Sequence, residues 1–211
     1  MKNDQKIYLL GMSGHALSVI DALQSNGQVP SGYFDQLENK NSFITFLGPE
    51  SKEKCGEYLE SDAILFPSVG SNHLRKKMVT LIEELDYQQT IISHEQTIVS
   101  ETAKIGVSTF VSAGAIVNAH ARIGKGVIIN TGAIIEHECE IADFVHIGPG
   151  AVLAGDVSIG ELSFIGANAT VKQGVKIGSN VVVGAGSVVL KDIPDKCVYV
   201  GNPAKYLKAN D

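Results

Sequence analysis

The chain carries a hydrophobic repeat with a period of six residues, which begins at Val99 and runs unbroken for sixteen hexads. The residue four positions after each aliphatic is small or β-branched, and glycine often follows the aliphatic directly. If both positions point inward, each hexad forms a short strand and a turn, and three hexads complete one triangular coil. The pattern therefore predicts a parallel β-helix on the order of 25 Å tall, at about 4.8 Å per coil. The aliphatic positions are Val99, Ile105, Val111, Val117, Ile123, Ile129, Ile135, Ile141, Ile147, Leu153, Ile159, Ile165, Val171, Ile177, Val183 and Val189.

The residues before this repeat follow a different pattern, in which strand-like and helix-like segments alternate. We predict strands over 6–10, 32–34 and 63–66 and helices over 15–24, 49–59 and 72–85. Such alternation is typical of a small parallel α/β unit. We therefore divide the chain into a Rossmann-like α/β domain over 1–90 and an all-β parallel β-helix over 91–211. The tail at 198–209 leaves the repeat, and we expect it to cap the helix with a short helical segment.

Composition narrows the possible partners. The chain has 211 residues, 44% of them hydrophobic, and a formal net charge of −6. Since no cluster of lysine and arginine is present, nucleic acid and anionic membranes are poor candidates. No apolar run approaches the roughly 20 residues of a membrane span, and no signal peptide is recognisable. Three cysteines form no disulfide or metal pattern, so we expect a reduced, cytoplasmic protein.

The phase of the hexads selects the residues that are available for chemistry. Cys139 falls at an inward position and is expected to pack inside, whereas His120, His137 and His146 fall at outward positions. Glu138 follows His137, and a histidine beside a carboxylate is the unit that a general base requires. A zinc site that pairs His120 with His137 remains an alternative at this point, and so does a solvated turn without chemistry.

A second group of candidates lies where the first predicted strand meets the first predicted helix. The sequence there is Gly11-Met12-Ser13-Gly14-His15, and small residues in such a turn let backbone N–H groups approach a phosphate at the helix N-terminus. Asp35 ends the second strand, where an acid can accept hydrogen bonds from a ribose or a base. The third glycine of the dinucleotide fingerprint is missing, which favours a nucleotide over NAD.

These motifs together resemble a known family. The Gly-x-Ser-Gly-His unit is joined to a hexapeptide helix that carries Ile135-Glu136-His137-Glu138-Cys139, and the chain ends in Val200-Gly201-Asn202-Pro203-Ala204-Lys205. This combination resembles the bacterial sugar acyltransferases of the sialic acid O-acetyltransferase type, and among them most closely the bacillosamine-pathway N-acetyltransferases of UDP-4-amino-4,6-dideoxy sugars. The resemblance covers essentially the whole chain.

The resemblance implies a left-handed β-helix that assembles as a homotrimer, with acetyl-CoA between neighbouring prisms and a nucleotide-sugar on the N-terminal domain. No metal is expected. It assigns the general base to His137 and the residue that raises its basicity to Glu138. The acetyl-CoA contacts fall on His146, Ala167 and Ala185, and the nucleotide-sugar contacts fall on Ser13, Gly14, His15, Asp35, Gln36 and Gly70.

Two departures and two alternatives accompany this assignment. Gln36 stands where the closest match has a second aspartate, and both upper acetyl-CoA positions are alanine here. The same base could serve a sialic acid or other sugar O-acetyltransferase, which attacks through a hydroxyl group. A β-helical zinc lyase of the carbonic anhydrase type is the alternative of another class, although it would not need the N-terminal nucleotide domain.

Overall fold

A computed structural model describes residues 5–40 and 42–210 of the chain. Its N-terminal unit is a sheet of three parallel strands in the order β2-β1-β3, joined by helices. The strands β1, β2 and β3 span Ile7–Leu10, Gly32–Phe34 and Ile64–Pro67, and the helices α1, α2 and α3 span Gly14–Ser25, Lys52–Tyr58 and Asn72–Glu84. All six elements fall on the predicted segments, with ends that differ by a few residues.

The order of these strands creates a crevice. Strand β1 lies in the middle, so the chain crosses from one side of it to the other between β2 and β3. In open parallel sheets, ligands bind beyond the carboxyl ends of the strands at such a switch point. The segment that begins at Gly11 follows β1, Asp35 follows β2, and Gly70 lies just beyond β3. The predicted nucleotide residues therefore share one edge of the sheet.

The rest of the chain is a triangular β-helix, as predicted. Each coil has three strands of two residues, and strands eighteen residues apart pair in parallel and in register. The strands β4 to β20 span Ile92–Ser93, Ile98–Val99, Lys104–Ile105, Phe110–Val111, Ile116–Val117, Arg122–Ile123, Ile128–Ile129, Ile134–Ile135, Glu140–Ile141, His146–Ile147, Val152–Leu153, Ser158–Ile159, Phe164–Ile165, Thr170–Val171, Lys176–Ile177, Val182–Val183 and Val188–Val189.

From Val111 to β20, the second residue of each strand and the residue four positions later are buried, and the apolar ones form one continuous core. Cys139 is part of this core, which confirms that it packs inside. The repeat begins one strand earlier than predicted, at β4. The hydrophobic pattern does not show this strand, because Ser93 occupies the position where the pattern requires an aliphatic residue. Val99, at the open end of the prism, is still 39% exposed.

The three faces of the prism carry different outward side chains. We call them the first face (β4, β7, β10, β13, β16, β19), the second face (β5, β8, β11, β14, β17, β20) and the third face (β6, β9, β12, β15, β18). On the first face, Ile92, Phe110 and Ile128 are buried in one cluster with the N-terminal domain. The outward residues of the third face are mostly charged: Lys104, Arg122, Glu140, Ser158 and Lys176. Those of the second face are mostly aliphatic: Ile98, Ile116, Ile134, Val152, Thr170 and Val188.

The C-terminal tail caps the prism differently from the prediction. Instead of a short helix, it forms strand β21 (Cys197–Val200) and strand β22 (Lys205–Ala209), an antiparallel hairpin. The predicted helical segment is therefore wrong. The reason is that β21 pairs in parallel with β19 and extends the first face by one more strand. No helix within the described part of the chain is long and apolar enough to span a lipid bilayer.

Candidate active site

His137 and Glu138 occupy the turn that leads from the second face to the third. His137 Nδ1 lies 3.1 Å from Glu138 Oε2, and the two side chains are 50% and 64% exposed. Glu138 adopts a φ of 60°, a left-handed conformation that is uncommon for a residue other than glycine. A carboxylate that accepts the Nδ1 proton leaves Nε2 as the basic nitrogen of a neutral ring. The pair therefore has the geometry that a general base requires, and it lies at the surface of the prism.

The crevice of the N-terminal domain is organised around the turn after β1. Gly11 has a φ of 96°, and a Cβ atom there would overlap the side chain of Val69. Ser13 precedes α1 but makes no side-chain cap. The N–H groups of Ser13, Gly14 and His15 donate to no acceptor within residues 5–40 and 42–210. Three free N–H groups at the start of a twelve-residue helix form a ready site for an anion.

Asp35 supports this turn from the end of β2. Its Oδ2 accepts a hydrogen bond from the N–H of Met12 at 2.7 Å, and its Oδ1 accepts one from the N–H of Gln36 at 2.7 Å. The carboxylate is thus held by backbone donors beside the turn, and each oxygen retains a further lone pair. The Gln36 side chain is exposed at the rim of the crevice.

Two histidines lie where the N-terminal domain meets the first face of the prism. The His15 ring packs edge-on against Phe110, with ring centroids 5.1 Å apart, and its buried Nε2 has no partner among the residues that the structure describes. His146 Nδ1 lies 3.3 Å from the Gly70 carbonyl and its Nε2 lies 3.2 Å from Asn130 Nδ2. Burial, reinforced by nearby positive groups, lowers the pKa of His15 to about 3 and that of His146 to about 4.

The hydrogen bonds of Asn130 fix the tautomer of His146. Asn130 Oδ1 accepts from the N–H of Thr131 at 2.8 Å, so its amide nitrogen is the group that faces the histidine. Nε2 of His146 is therefore the acceptor, and Nδ1 carries the proton that is donated to Gly70. Because both ring nitrogens are engaged, a hydrogen bond from His146 to acetyl-CoA would have to replace one of these two contacts.

The predicted acetyl-CoA positions higher on the prism share another corner. Ala167 and Ala185 lie one coil apart on the turns that lead from the first face to the second. Neither N–H group donates a hydrogen bond to another group in the described ranges. Ala167 is half-buried and Ala185 is exposed. The resemblance assigns backbone contacts to these positions, and a backbone N–H group does not depend on the side chain, so alanine is compatible with the prediction.

The predicted residues therefore form three separate groups within one chain. The crevice group lies against the first face, together with His146. The Ala167 and Ala185 donors lie at the corner between the first and second faces, whereas His137 and Glu138 lie at the corner between the second and third faces. This last corner is opposite the face that carries the N-terminal domain.

Comparisons with known proteins agree with both halves of this architecture. Residues 6–82 match the family described as the PglD N-terminal domain, residues 138–173 match the bacterial transferase hexapeptide of six repeats, and residues 156–191 match the hexapeptide repeat of succinyl-transferase. A perosamine N-acetyltransferase from Caulobacter crescentus, solved with CoA and GDP-perosamine, is 33% identical and has a TM-score of 0.92, with 97% of this chain and 98% of that chain covered. This chain belongs to the bacterial sugar acyltransferases of the hexapeptide type.

Other solved structures are consistent with this membership. The acetyltransferase domain of PglB from Neisseria gonorrhoeae FA1090, in complex with acetyl coenzyme A, is 32% identical to this acyltransferase, with a TM-score of 0.92 and coverage of 97% of this chain and 100% of that chain. WeeI from Acinetobacter baumannii AYE, at 24% identity and a TM-score of 0.86, shares the fold, with 96% of this chain and 100% of that chain covered. No match is found among curated protein sequences. The predicted family, enzyme class and left-handed β-helix are confirmed.

Arg75 is the residue of this acyltransferase that the sequence analysis missed. It lies on α3 and is only 1% exposed. Its guanidinium donates to the carbonyl oxygens of Gly126, Gly70 and Phe144, of which the first and last belong to the prism. Burial lowers the pKa of Arg75 to about 9. Its position beside other polar residues on α3 resembled a solvated helix face, and only its contacts across the domain boundary reveal its role.

The remaining chemical candidates on this acyltransferase contribute less. Burial raises the pKa of the Cys139 thiol, and its Sγ donates to the Ala154 carbonyl at 3.2 Å, so it is a poor nucleophile. His120 is exposed one coil below Glu138. Within the described ranges, no group of three or more histidine, cysteine, aspartate and glutamate side chains could hold a metal ion.

Proposed function

We propose that this acyltransferase moves the acetyl group of acetyl-CoA to the 4-amino group of a UDP-linked 4-amino-4,6-dideoxy sugar, with His137 as the general base. The observation that carries the proposal is the exposed imidazole whose Nδ1 is held by the Glu138 carboxylate. The neighbours that were solved with CoA, acetyl-CoA and GDP-perosamine support the two substrate classes. The free donors of the crevice and of the Ala167 corner are consistent with them.

In the proposed step, the neutral amine of the sugar attacks the thioester carbonyl, and Nε2 of His137 accepts the proton that the nitrogen releases. Glu138 stabilises the imidazolium that forms, because its carboxylate already faces Nδ1. The C–S bond then breaks, and the CoA thiolate takes up a proton from the imidazolium or from water. No covalent bond to the enzyme is needed, so the acceleration comes from positioning and proton transfer.

A backbone N–H group without an acceptor among the described residues lies next to the base. Gly155 lies one coil above His137 in the same corner, and its N–H makes no hydrogen bond to any residue that the structure describes. Backbone N–H groups of this kind stabilise the negative charge of a tetrahedral intermediate. We assign the oxyanion contact to this N–H group and the pantetheine contacts to those of Ala167 and Ala185.

The nucleotide-sugar fits the crevice of the N-terminal domain. The free N–H groups of Ser13, Gly14 and His15 at the start of α1 suit a diphosphate. Asp35 and Gln36 lie at the end of β2, where the ribose or base of a nucleotide is expected. Gly70 forms the opposite edge of the crevice.

The separation of the three groups supports a homotrimer with shared sites. One chain carries His137 at the corner opposite its own N-terminal domain, so a second copy is needed to bring a crevice to the base. The second face lies between the His137 corner and the Ala167 corner, and its aliphatic stripe includes Ile98, which is 64% exposed. Burying such a stripe against other copies would stabilise an assembly and place the two corners of neighbouring prisms together.

A matched pair of histidine variants tests the base. His137→Ala is expected to lower kcat by roughly 10²- to 10⁴-fold with acetyl-CoA and a UDP-4-amino sugar. His120→Ala is the control, because His120 is an exposed histidine at the same corner one coil below and should leave kcat within twofold of wild type. If His137→Ala folds, assembles and turns over at the wild-type rate, the assignment of the base is wrong.

A thermal-shift comparison of UDP, GDP and CMP tests the nucleotide. A ligand at one hundred times its Kd stabilises the folded protein by about 2.7 kcal/mol, so the preferred nucleotide should raise the melting temperature most. UDP is expected to do so. A larger shift with GDP would overturn the UDP assignment and place the enzyme with the GDP-perosamine relatives. In a separate activity assay, turnover of a free sialic acid alone would favour O-acetylation.

Assembly can be tested at the second face. Ile134→Glu places a charge on the aliphatic stripe without touching the core, and sedimentation should then change from three copies to one, with loss of activity. Glu140→Lys on the third face is the control and should remain trimeric. A wild-type protein that is active as a monomer would refute the shared site.

A further inference from the structure

The proposed mechanism uses the N–H group of Gly155 but does not explain why this residue has no side chain. The corner between the second and third faces contains one column of equivalent residues, eighteen apart: Glu101, Ala119, His137, Gly155 and Gln173. Within this column, only Gly155 is buried. The turn itself does not call for glycine, because four other residue types occupy the same position and none of the five has a positive φ.

What covers Gly155 is the imidazole of His137. A Cβ atom added to Gly155 would lie 2.5 Å from Nε2 and 3.1 Å from Nδ1, and closer still to Cε1. These three distances place the Cβ above the face of the ring and not in its plane. The ring therefore lies flat on Gly155, while the lone pair of Nε2, which lies in the plane of the ring, remains open to a substrate.

We infer that the missing side chain of Gly155 is what positions the catalytic base. Without a Cβ below it, the ring can lean towards the next coil and keep Nδ1 at hydrogen-bond distance from Glu138. A methyl group would require a face contact of about 3.5 Å, so the ring would have to move outward by roughly 1 Å or leave this rotamer. This inference rests on the proposed role of His137, and it makes Gly155 a positioning residue independently of its N–H group.

The inference predicts a specific kinetic effect for Gly155→Ala. A displacement of about 1 Å at a reacting group can cost about 10²-fold in rate, so kcat should fall by about that factor. The KM values for acetyl-CoA and for the nucleotide-sugar should change by less than threefold, because Ala167, Ala185 and the crevice are untouched. Gln173→Ala is the matched control, since it changes the same column two coils above His137, and kcat should stay within twofold.

A double-mutant cycle separates the side-chain effect from an effect of the backbone. If Gly155 acts by seating the ring, adding Gly155→Ala to His137→Ala should cost nothing further in kcat. A second loss of similar size in that background would refute the inference, because the methyl group would then act on the oxyanion contact or on the fold. The inference is equally refuted if His137→Ala is impaired while Gly155→Ala retains wild-type kcat. Full activity of His137→Ala would instead remove the proposed function itself.

Stability provides a second readout if Gly155→Ala proves too poorly folded for kinetics. The overlap exists only while the ring is present, so the melting temperature that Gly155→Ala loses in the wild-type background should be regained when His137→Ala is added. A loss of the same size in both backgrounds would show that the methyl group collides with the turn and not with the base, and the inference would fail.

Discussion

Replacing Arg75 by methionine tests how the N-terminal domain is fixed to the prism. Methionine fills a similar volume but donates no hydrogen bond, so the change removes the donors and largely preserves the packing. The carbonyl oxygens of Gly126 and Phe144 accept hydrogen bonds from Arg75 and from no backbone N–H in the described ranges. The substitution therefore leaves two carbonyl groups of the prism without a donor at the domain boundary.

The magnitude follows from the cost of those two groups. A buried polar group without a partner costs about 1–3 kcal/mol, so the two together cost about 2–6 kcal/mol. Part of this is offset, because a cation that is 1% exposed no longer has to be desolvated. We expect a net loss of about 2–4 kcal/mol. At roughly 2–4 °C per kcal/mol for a chain of this size, the melting temperature should fall by about 4–16 °C.

Thermal unfolding followed by circular dichroism measures this loss, and amide exchange locates it. The expected pattern is faster exchange in α3 and in the turns at Gly126 and Phe144, with the far coils unchanged. Lys77, on the exposed side of α3, offers a matched control, since Lys77→Met removes a cation that the domain boundary does not use. If Arg75→Met melts within about 2 °C of wild type, a shift well below the expected range, the guanidinium does not hold the two domains together.

Two further outcomes follow from the same region. Because the pKa values of His15 and His146 are lowered to about 3 and about 4, the unfolded state binds more protons below pH 6.5. The free energy of unfolding should therefore fall as the pH drops from 6.5 towards 4, by about 1.5 kcal/mol per histidine between pH 6.5 and 5. Denaturant titrations at several pH values measure it, and in the His15→Gln, His146→Gln double variant the free energy of unfolding should depend less on pH. Gly11→Ala would place a side chain at a φ of 96° and overlap Val69. Calorimetry should show that the free energy of unfolding falls by about 2–4 kcal/mol, and nucleotide binding should weaken. Gly56→Ala, in open space on α2, is the control and should cost no stability.

The β-helix could be predicted from sequence because its core repeats in one dimension. Each inward aliphatic meets the residue eighteen positions away, so a single phase fixes every coil. The prediction failed at two places. At Ser93 a polar residue stands at the inward position of the first strand, and at the tail β21 joins the first face as a longer strand. Both errors lie at the ends of the prism, where neighbours on one side are missing and the periodic constraint no longer applies.

Parts of the candidate site were less accessible to sequence reasoning for a different reason. The outward direction of His137 followed from the hexad phase, and the turn residues of the crevice followed from the β–α pattern. Arg75 could not be found in this way, because the burial of a residue on α3 depends on what packs against the helix. Its partner is the Gly126 carbonyl in a coil 51 residues further along the chain. The free N–H of Ala167 is likewise a property of the turn, which residue type does not reveal.

Residues eighteen positions apart in this sequence are neighbours in adjacent coils, whereas residues six positions apart lie only at successive corners of one coil. At a period of six, His137 and Gly155 are merely two outward turn residues. At eighteen they are direct neighbours in one column, and glycine at the position above a histidine becomes a statement about where the ring lies. The same comparison along the second face aligns Ile98, Ile116 and Ile134 into one aliphatic stripe. In a triangular prism, the candidates for chemistry are thus the outward residues that differ from the others in their column, since the inward residues only form the core.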